Sequence, residues 1–131
     1  MEVQGFSHLT INVSDLKRSL HFYHELLGMD VKHVGNTDAY LEWGTAWICI
    51  IERANYSSMN DQRLGMDHIA FYISEEHFYD AVELLKKHQV PIVRGPIQRG
   101  VGMSVNFLDP DGTELELHTS TLEERMKVWK G

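Results

Sequence analysis

The chain has 131 residues, 43% of them apolar by type, and a formal charge of −7 from 12 basic and 19 acidic side chains. That composition can fill one compact unit, or two half-size modules with a shared core, while the acidic balance and the lack of any basic stripe disfavour nucleic-acid binding. Cys49 is the only cysteine, so there is no intrachain disulfide, the start Met1 to Phe6 lacks the blocks of a signal peptide, and no apolar run nears the ~20 residues of a membrane helix; a soluble cytoplasmic protein is expected.

In chain order, residues 6–13 alternate as a strand, with Leu9, Ile11 and Val13 on one face and His8, Thr10 and Asn12 on the other. Ser14 is a candidate N-cap for a helix from Leu16 to Leu27, where Leu16, Leu20, Tyr23 and Leu27 recur at helical spacing and Gly28 suits the position just past the end. Three strands follow at 31–35, 38–43 and 46–52. Polar residues and glycine in 53–66 mark a linker.

The order then repeats. A strand opens at His68, with Ile69, Phe71 and Ile73 alternating against Ala70 and Tyr72, and a helix from Glu76 to His88 places Phe78, Val82 and Leu85 on one side. Strands are expected at 92–95, 103–108 and 114–118, with Asp109-Pro-Asp-Gly112 as a turn, and Thr121 caps a last helix from Leu122 to Lys130. The pattern is βαβββ twice: module one about 4–53, linker about 54–65, module two about 66–119 and a C-terminal helix about 121–130. The fold class is α+β, with each module curling into half a barrel.

The duplication places one metal-capable side chain, His8 or His68, at the same point of each module. Alternation in 114–118 puts Glu114, Glu116 and His118 on one face and Leu115 and Leu117 on the other. His8, His68 and Glu116 together make a two-histidine, one-carboxylate set that holds a divalent ion and leaves positions open for water or substrate. A single histidine is more often structural or at the surface than a ligand. The repeat, the shared polar face and the carboxylate on a matching strand favour the site.

Four stretches carry a family resemblance: His8-Leu-Thr, Phe22-Tyr to Leu27-Gly28, His68-Ile-Ala-Phe, and Leu108-Asp-Pro-Asp-Gly to Leu115-Glu-Leu-His118. Together they resemble the vicinal oxygen chelate superfamily of glyoxalases, bleomycin-resistance proteins and extradiol dioxygenases. Ala39-Tyr-Leu-Glu, Gly44-Thr-Ala-Trp47-Ile-Cys49 and the tail His118 to Arg125 are most similar to fosfomycin-resistance proteins. The resemblance implies a glyoxalase-like fold and His8, His68 and Glu116 as ligands of a divalent metal, Mn²⁺ first, with Fe, Ni or Zn as alternatives. It also implies a homodimer whose sites are shared between chains. Thr10 and Arg125 match positions that contact a phosphonate, and Ser104 a hydroxyl near the same oxygens. The implied chemistry is attack on an epoxide by water or a thiol, with the metal stabilising the developing alkoxide.

Departures bear on that implication. Asn106 stands where family members usually carry tyrosine, and Pro96 to Gly102 replaces the lysine and potassium-binding loop of glutathione-using members. Asp38 falls about where hydrolase-type members place a general base, although an exposed turn is the commoner setting for such an aspartate. A glyoxalase I mechanism lacks its fourth ligand, since Cys49 occupies that position, and Cys49 reads as a buried apolar residue. An Fe-dependent extradiol dioxygenase would draw on His118 and Tyr72. A non-catalytic drug-binding protein is the remaining alternative, against which the intact ligand set speaks.

Overall fold

The structure is a computed structural model, and it describes residues 1–58 and 64–128. The chain divides into two compact units, residues 1–58 and 59–131, a boundary inside the stretch expected as a linker. Residues 59–63 of that stretch, and the last positions of the expected C-terminal helix, lie outside the described residues.

The first unit opens with β1 (His8–Val13), in which Ile11 and Val13 are buried while His8, Thr10 and Asn12 are exposed. The helix after it starts one residue later than Ser14 would cap it. Asp15 is the N-cap and its carboxylate accepts from Arg18 N, while Glu52 accepts from Leu16 N at 2.8 Å. Two carboxylates thus serve the positive end of the helix. Ser14 instead accepts from the Arg18 guanidinium at 2.8 Å.

That helix is α1 (Leu16–Leu20), continued as a π-helix over His21–Leu26. The wider turn changes which side chains point inward: Leu16, Ser19, Phe22 and Tyr23 are buried, whereas Leu20 and Leu27 of the expected stripe are only half-buried. Gly28, at φ +86°, ends it in the left-handed conformation that favours glycine.

Strands β2 (Asp30–Val34), β3 (Asp38–Trp43) and β4 (Ala46–Glu52) complete a sheet of order β1-β4-β3-β2. β1 runs parallel to β4, and the other pairs are antiparallel. Ala39, Leu41, Ile48 and Ile50 fill the covered face, and α1 packs on β4.

The second unit repeats the plan. It contains β5 (Ile69–Tyr72), α2 (Glu75–Lys87), β6 (Ile92–Arg99), β7 (Gly102–Leu108), β8 (Glu114–His118) and α3 (Leu122–Val128), with sheet order β5-β8-β7-β6. Phe78, Val82 and Leu85 of α2 are buried with Val105, Phe107, Leu115 and Leu117 of the sheet. β6 extends to Arg99, four residues past its expected end, so most of the replaced loop is strand.

The expected turn between β7 and β8 is held by Asp109, which is buried and accepts from Asp111 N at 2.9 Å and Thr113 N at 2.8 Å. Thr121 and Glu124 cap α3 reciprocally: Glu124 N donates to Thr121 Oγ1 at 3.2 Å, and Thr121 N to Glu124 Oε1 at 3.1 Å.

Candidate metal centre

Sheet pairing decides which side chains of the second unit share a face, because registered neighbours point the same way. Arg94, Asn106, Glu116 and Ala70 form one row across β6, β7, β8 and β5. Ile97, Ser104, His118 and Tyr72 form the next. The opposite face carries the leucines, Val105 and Phe107. The polar residues therefore occupy one side of the sheet without interrupting the core.

Glu116 sits at the centre of this polar face, with its side chain only 8% exposed. A buried carboxylate needs partners. Oε1 lies 3.3 Å from His68 Nε2 and 3.9 Å from Arg94 Nη2, and Oε2 lies 2.8 Å from His118 Nδ1. His118 Nε2 in turn lies 2.8 Å from Ser120 Oγ. On its other side, His68 Nδ1 is 2.7 Å from Asp67 Oδ2.

The separation of His68 Nε2 and Glu116 Oε1 suits a shared ion. Metal–ligand bonds of about 2.1 Å at right angles put two ligand atoms about 3 Å apart. Nitrogen with carboxylate oxygen is a donor set that first-row divalent metals accept. Asp67, His68 and Glu114 also bring one potential ligand atom each within 4.8 Å of one another.

Two further polar side chains on this face are fully buried. Asn106 Nδ2 donates to Glu114 Oε2 at 2.9 Å, while Asn106 Oδ1 and Ser104 Oγ have no hydrogen-bond partner among the described residues. The Glu114 carboxylate fixes which way the amide points, because only the NH₂ end can donate to it. An acceptor is thus left on the same row as Glu116.

His8 and Thr10 belong to the first unit, on the exposed face of β1. The His8 ring is centred 4.4 Å from Trp47, which lies 6.0 Å from Tyr40, so an aromatic row borders the histidine. Ser7 Oγ is 3.0 Å from His8 Nδ1. Cys49 is registered with Thr10 but buried, as expected for a small apolar side chain.

Asp38 opens β3 rather than standing in a turn, half-buried, with Oδ1 3.5 Å from His33 Nε2. Arg125 lies on α3, its stem packed at Gly100 in the turn between β6 and β7.

His68, Glu116 and Ser104, three of the residues expected at the site, lie on this one surface, and His118, expected only for a different chemistry, lies with them. Arg94 and Asp67 are neighbours of the site to which no motif points, whereas alternation in 114–118 already puts Glu114 on the Glu116 face. Asp67 was within reach, since it precedes His68 directly. Arg94 was not, because its place depends on a register that shifts between Ile92 and Ile97.

Two sheets of like plan, with His8 opening the leading strand of one and His68 directly preceding the leading strand of the other, and a histidine–glutamate pair set at metal-ligand separation define a duplicated-module metal-binding protein. Residues 5–117 match the Glyoxalase/Bleomycin resistance protein/Dioxygenase superfamily, and the chain belongs to it. It is 40% identical over 131 residues to the metallothiol transferase FosB of Staphylococcus epidermidis, covering 99% of this chain and 92% of that protein. It is 38% identical over 124 residues to the glutathione transferase FosA of Serratia marcescens, covering 95% and 86%. The fosfomycin resistance protein FosX of Listeria monocytogenes, complexed with Mn(II) and sulfate, superposes with a TM-score of 0.80 at 31% identity, covering 96% and 98%. The chain's relatives are thus enzymes of the fosfomycin-resistance type, in agreement with the resemblance read from its motifs.

Proposed function

We propose that this protein is a divalent-metal-dependent enzyme that opens a strained or activated C–O bond in a small oxygen-rich substrate, with the epoxide of fosfomycin as the first candidate. The observation that carries the reading is the 3.3 Å approach of His68 Nε2 to Glu116 Oε1, on a carboxylate otherwise buried. His68 and Glu116 would hold the ion with His8, and the homodimer implied by the family would let His8 of one chain complete the set of the other. Mn²⁺ is the candidate favoured by the Mn(II)-complexed relative. A bound divalent ion supplies Lewis-acid stabilisation of the alkoxide that develops as the C–O bond breaks.

The remaining roles fall to the chain's own side chains. Arg94, close to Glu116, offers a guanidinium that can pair with an anionic substrate oxygen. Arg125 and Thr10 are the other candidates for that contact. Ser104 Oγ and Asn106 Oδ1, buried without partners among the described residues, can orient a polar substrate by one hydroxyl and one acceptor. Asp38 is the candidate for activating water, although its pairing with His33 already occupies one oxygen.

Phosphorus NMR on Mn²⁺-loaded protein with fosfomycin tests the substrate. Parallel samples contain no thiol, cysteine or glutathione. A new phosphonate resonance that needs the metal supports the reading, and the sample in which it grows identifies the nucleophile. An unchanged spectrum in every sample rejects fosfomycin.

A further inference from the structure

We propose that Asp67 is a positioning residue of the metal centre: its carboxylate fixes the tautomer and ring orientation of His68. The inference rests on the reading of His8, His68 and Glu116 as metal ligands.

His68 is held from both ring nitrogens. Nδ1 is 2.7 Å from Asp67 Oδ2 and Nε2 is 3.3 Å from Glu116 Oε1. A carboxylate oxygen can only accept, so the bond to Asp67 requires the hydrogen on Nδ1. That leaves the lone pair on Nε2, the nitrogen turned toward Glu116. A neutral imidazole binds an ion through such a lone pair, and a carboxylate hydrogen-bonded behind it fixes the orientation of the ring.

The first unit has a related contact, one that orients a ring without choosing its tautomer. Ser7 precedes His8 as Asp67 precedes His68, and its Oγ is 3.0 Å from His8 Nδ1. The two modules therefore orient their histidines through the residue just before each one. Their strengths differ, because a hydroxyl is neutral and a carboxylate carries charge.

Asp67, His68 and Glu114 could alternatively hold an ion by themselves. Two observations oppose this. Glu114 Oε2 already accepts from Asn106 Nδ2, and Asp67 Oδ2 already accepts from His68 Nδ1. Asp67 is also 89% exposed, where a hydrogen bond contributes little to folding. Losing it should affect the ion far more than the fold.

The test compares wild type with Asp67→Ala, Asp67→Asn, Ser7→Ala and Glu114→Gln. Mn²⁺ affinity is measured by competition with a chelating dye, and His68 tautomers by long-range ¹⁵N–¹H NMR of the metal-free protein. Asp67→Ala should weaken Mn²⁺ binding roughly 10- to 100-fold. It should also shift His68 toward the Nε2–H tautomer while the melting temperature stays put. Asp67→Asn, which keeps an accepting oxygen, should recover most of the affinity, and Ser7→Ala should cost less than Asp67→Ala. Glu114→Gln should bind like wild type.

Unchanged affinity and tautomer in Asp67→Ala overturn the proposal. Complete loss of binding in both Asp67→Ala and Glu114→Gln overturns it too, by making those residues ligands. Wild type that binds no Mn²⁺ brings down the three-ligand reading itself, and the proposal with it. That failure is told apart because it precedes any substitution.

Discussion

The two oxygens of Glu116 are divided between two histidines: Oε1 lies 3.3 Å from His68 Nε2, and Oε2 lies 2.8 Å from His118 Nδ1. One oxygen therefore faces the candidate ligand while the other is tied back. His118, backed by Ser120, sets the angle at which the carboxylate presents its free edge. Removing it leaves a buried oxygen unpaired, which costs about 1–3 kcal/mol. His118→Ala should accordingly lower the urea midpoint of the metal-free protein and weaken Mn²⁺ binding. Unaltered values for both would show that Glu116 needs no such support.

Asn106 separates substrate contact from metal contact. Its Oδ1 is buried without a partner among the described residues, while its Nδ2 is committed to Glu114. If substrate donates to that oxygen, Asn106→Leu deletes a hydrogen bond worth about 1–2 kcal/mol, or roughly ten-fold in kcat/KM. Mn²⁺ affinity should stay at the wild-type value. Steady-state kinetics alongside metal titration check this, and equal losses in both would assign Asn106 to the metal instead.

Gly95 lets β6 approach β7 closely. It has φ +91°, and a Cβ there would lie 2.6 Å from the Ser104 carbonyl oxygen. Gly112 has a similar φ of +88° with nothing within 4 Å of the same position. Gly112→Ala should cost only the left-handed conformation, about 1–2 kcal/mol. Gly95→Ala adds overpacking of about 1–3 kcal/mol more. Equal shifts in melting temperature for the two variants would deny the close approach.

The sequence made the scaffold readable where one rule decides the outcome. Alternation in 8–13 and 114–118 assigned both faces, since a strand with one covered side obeys period two. The spacing of Phe78, Val82 and Leu85 did the same for α2. In the first helix Leu16 and Tyr23 of the expected stripe are buried and Leu20 and Leu27 half-buried, and nothing in Leu16 to Leu27 announces the π-helical stretch that changes the residues per turn after Leu20. Asp15 rather than Ser14 caps the helix, its carboxylate taking Arg18 N while the Ser14 hydroxyl is engaged by the Arg18 guanidinium. His68, just ahead of β5, and Glu116, on β8, were legible from the repeat and the alternation as residues that meet on one surface. Their supports were not, because Arg94 reaches Glu116 only through a bulged register, and His118 does so through its rotamer.

Manganese titration followed by electron paramagnetic resonance tests the central claim most directly, since the free aqueous ion gives a signal that disappears on binding. The account predicts one tightly bound Mn²⁺ per chain in wild type, no tight binding in Glu116→Gln, and none in His8→Ala or His68→Ala. A wild-type protein that leaves the free signal undiminished, or a Glu116→Gln variant that quenches it as fully as wild type, would contradict it.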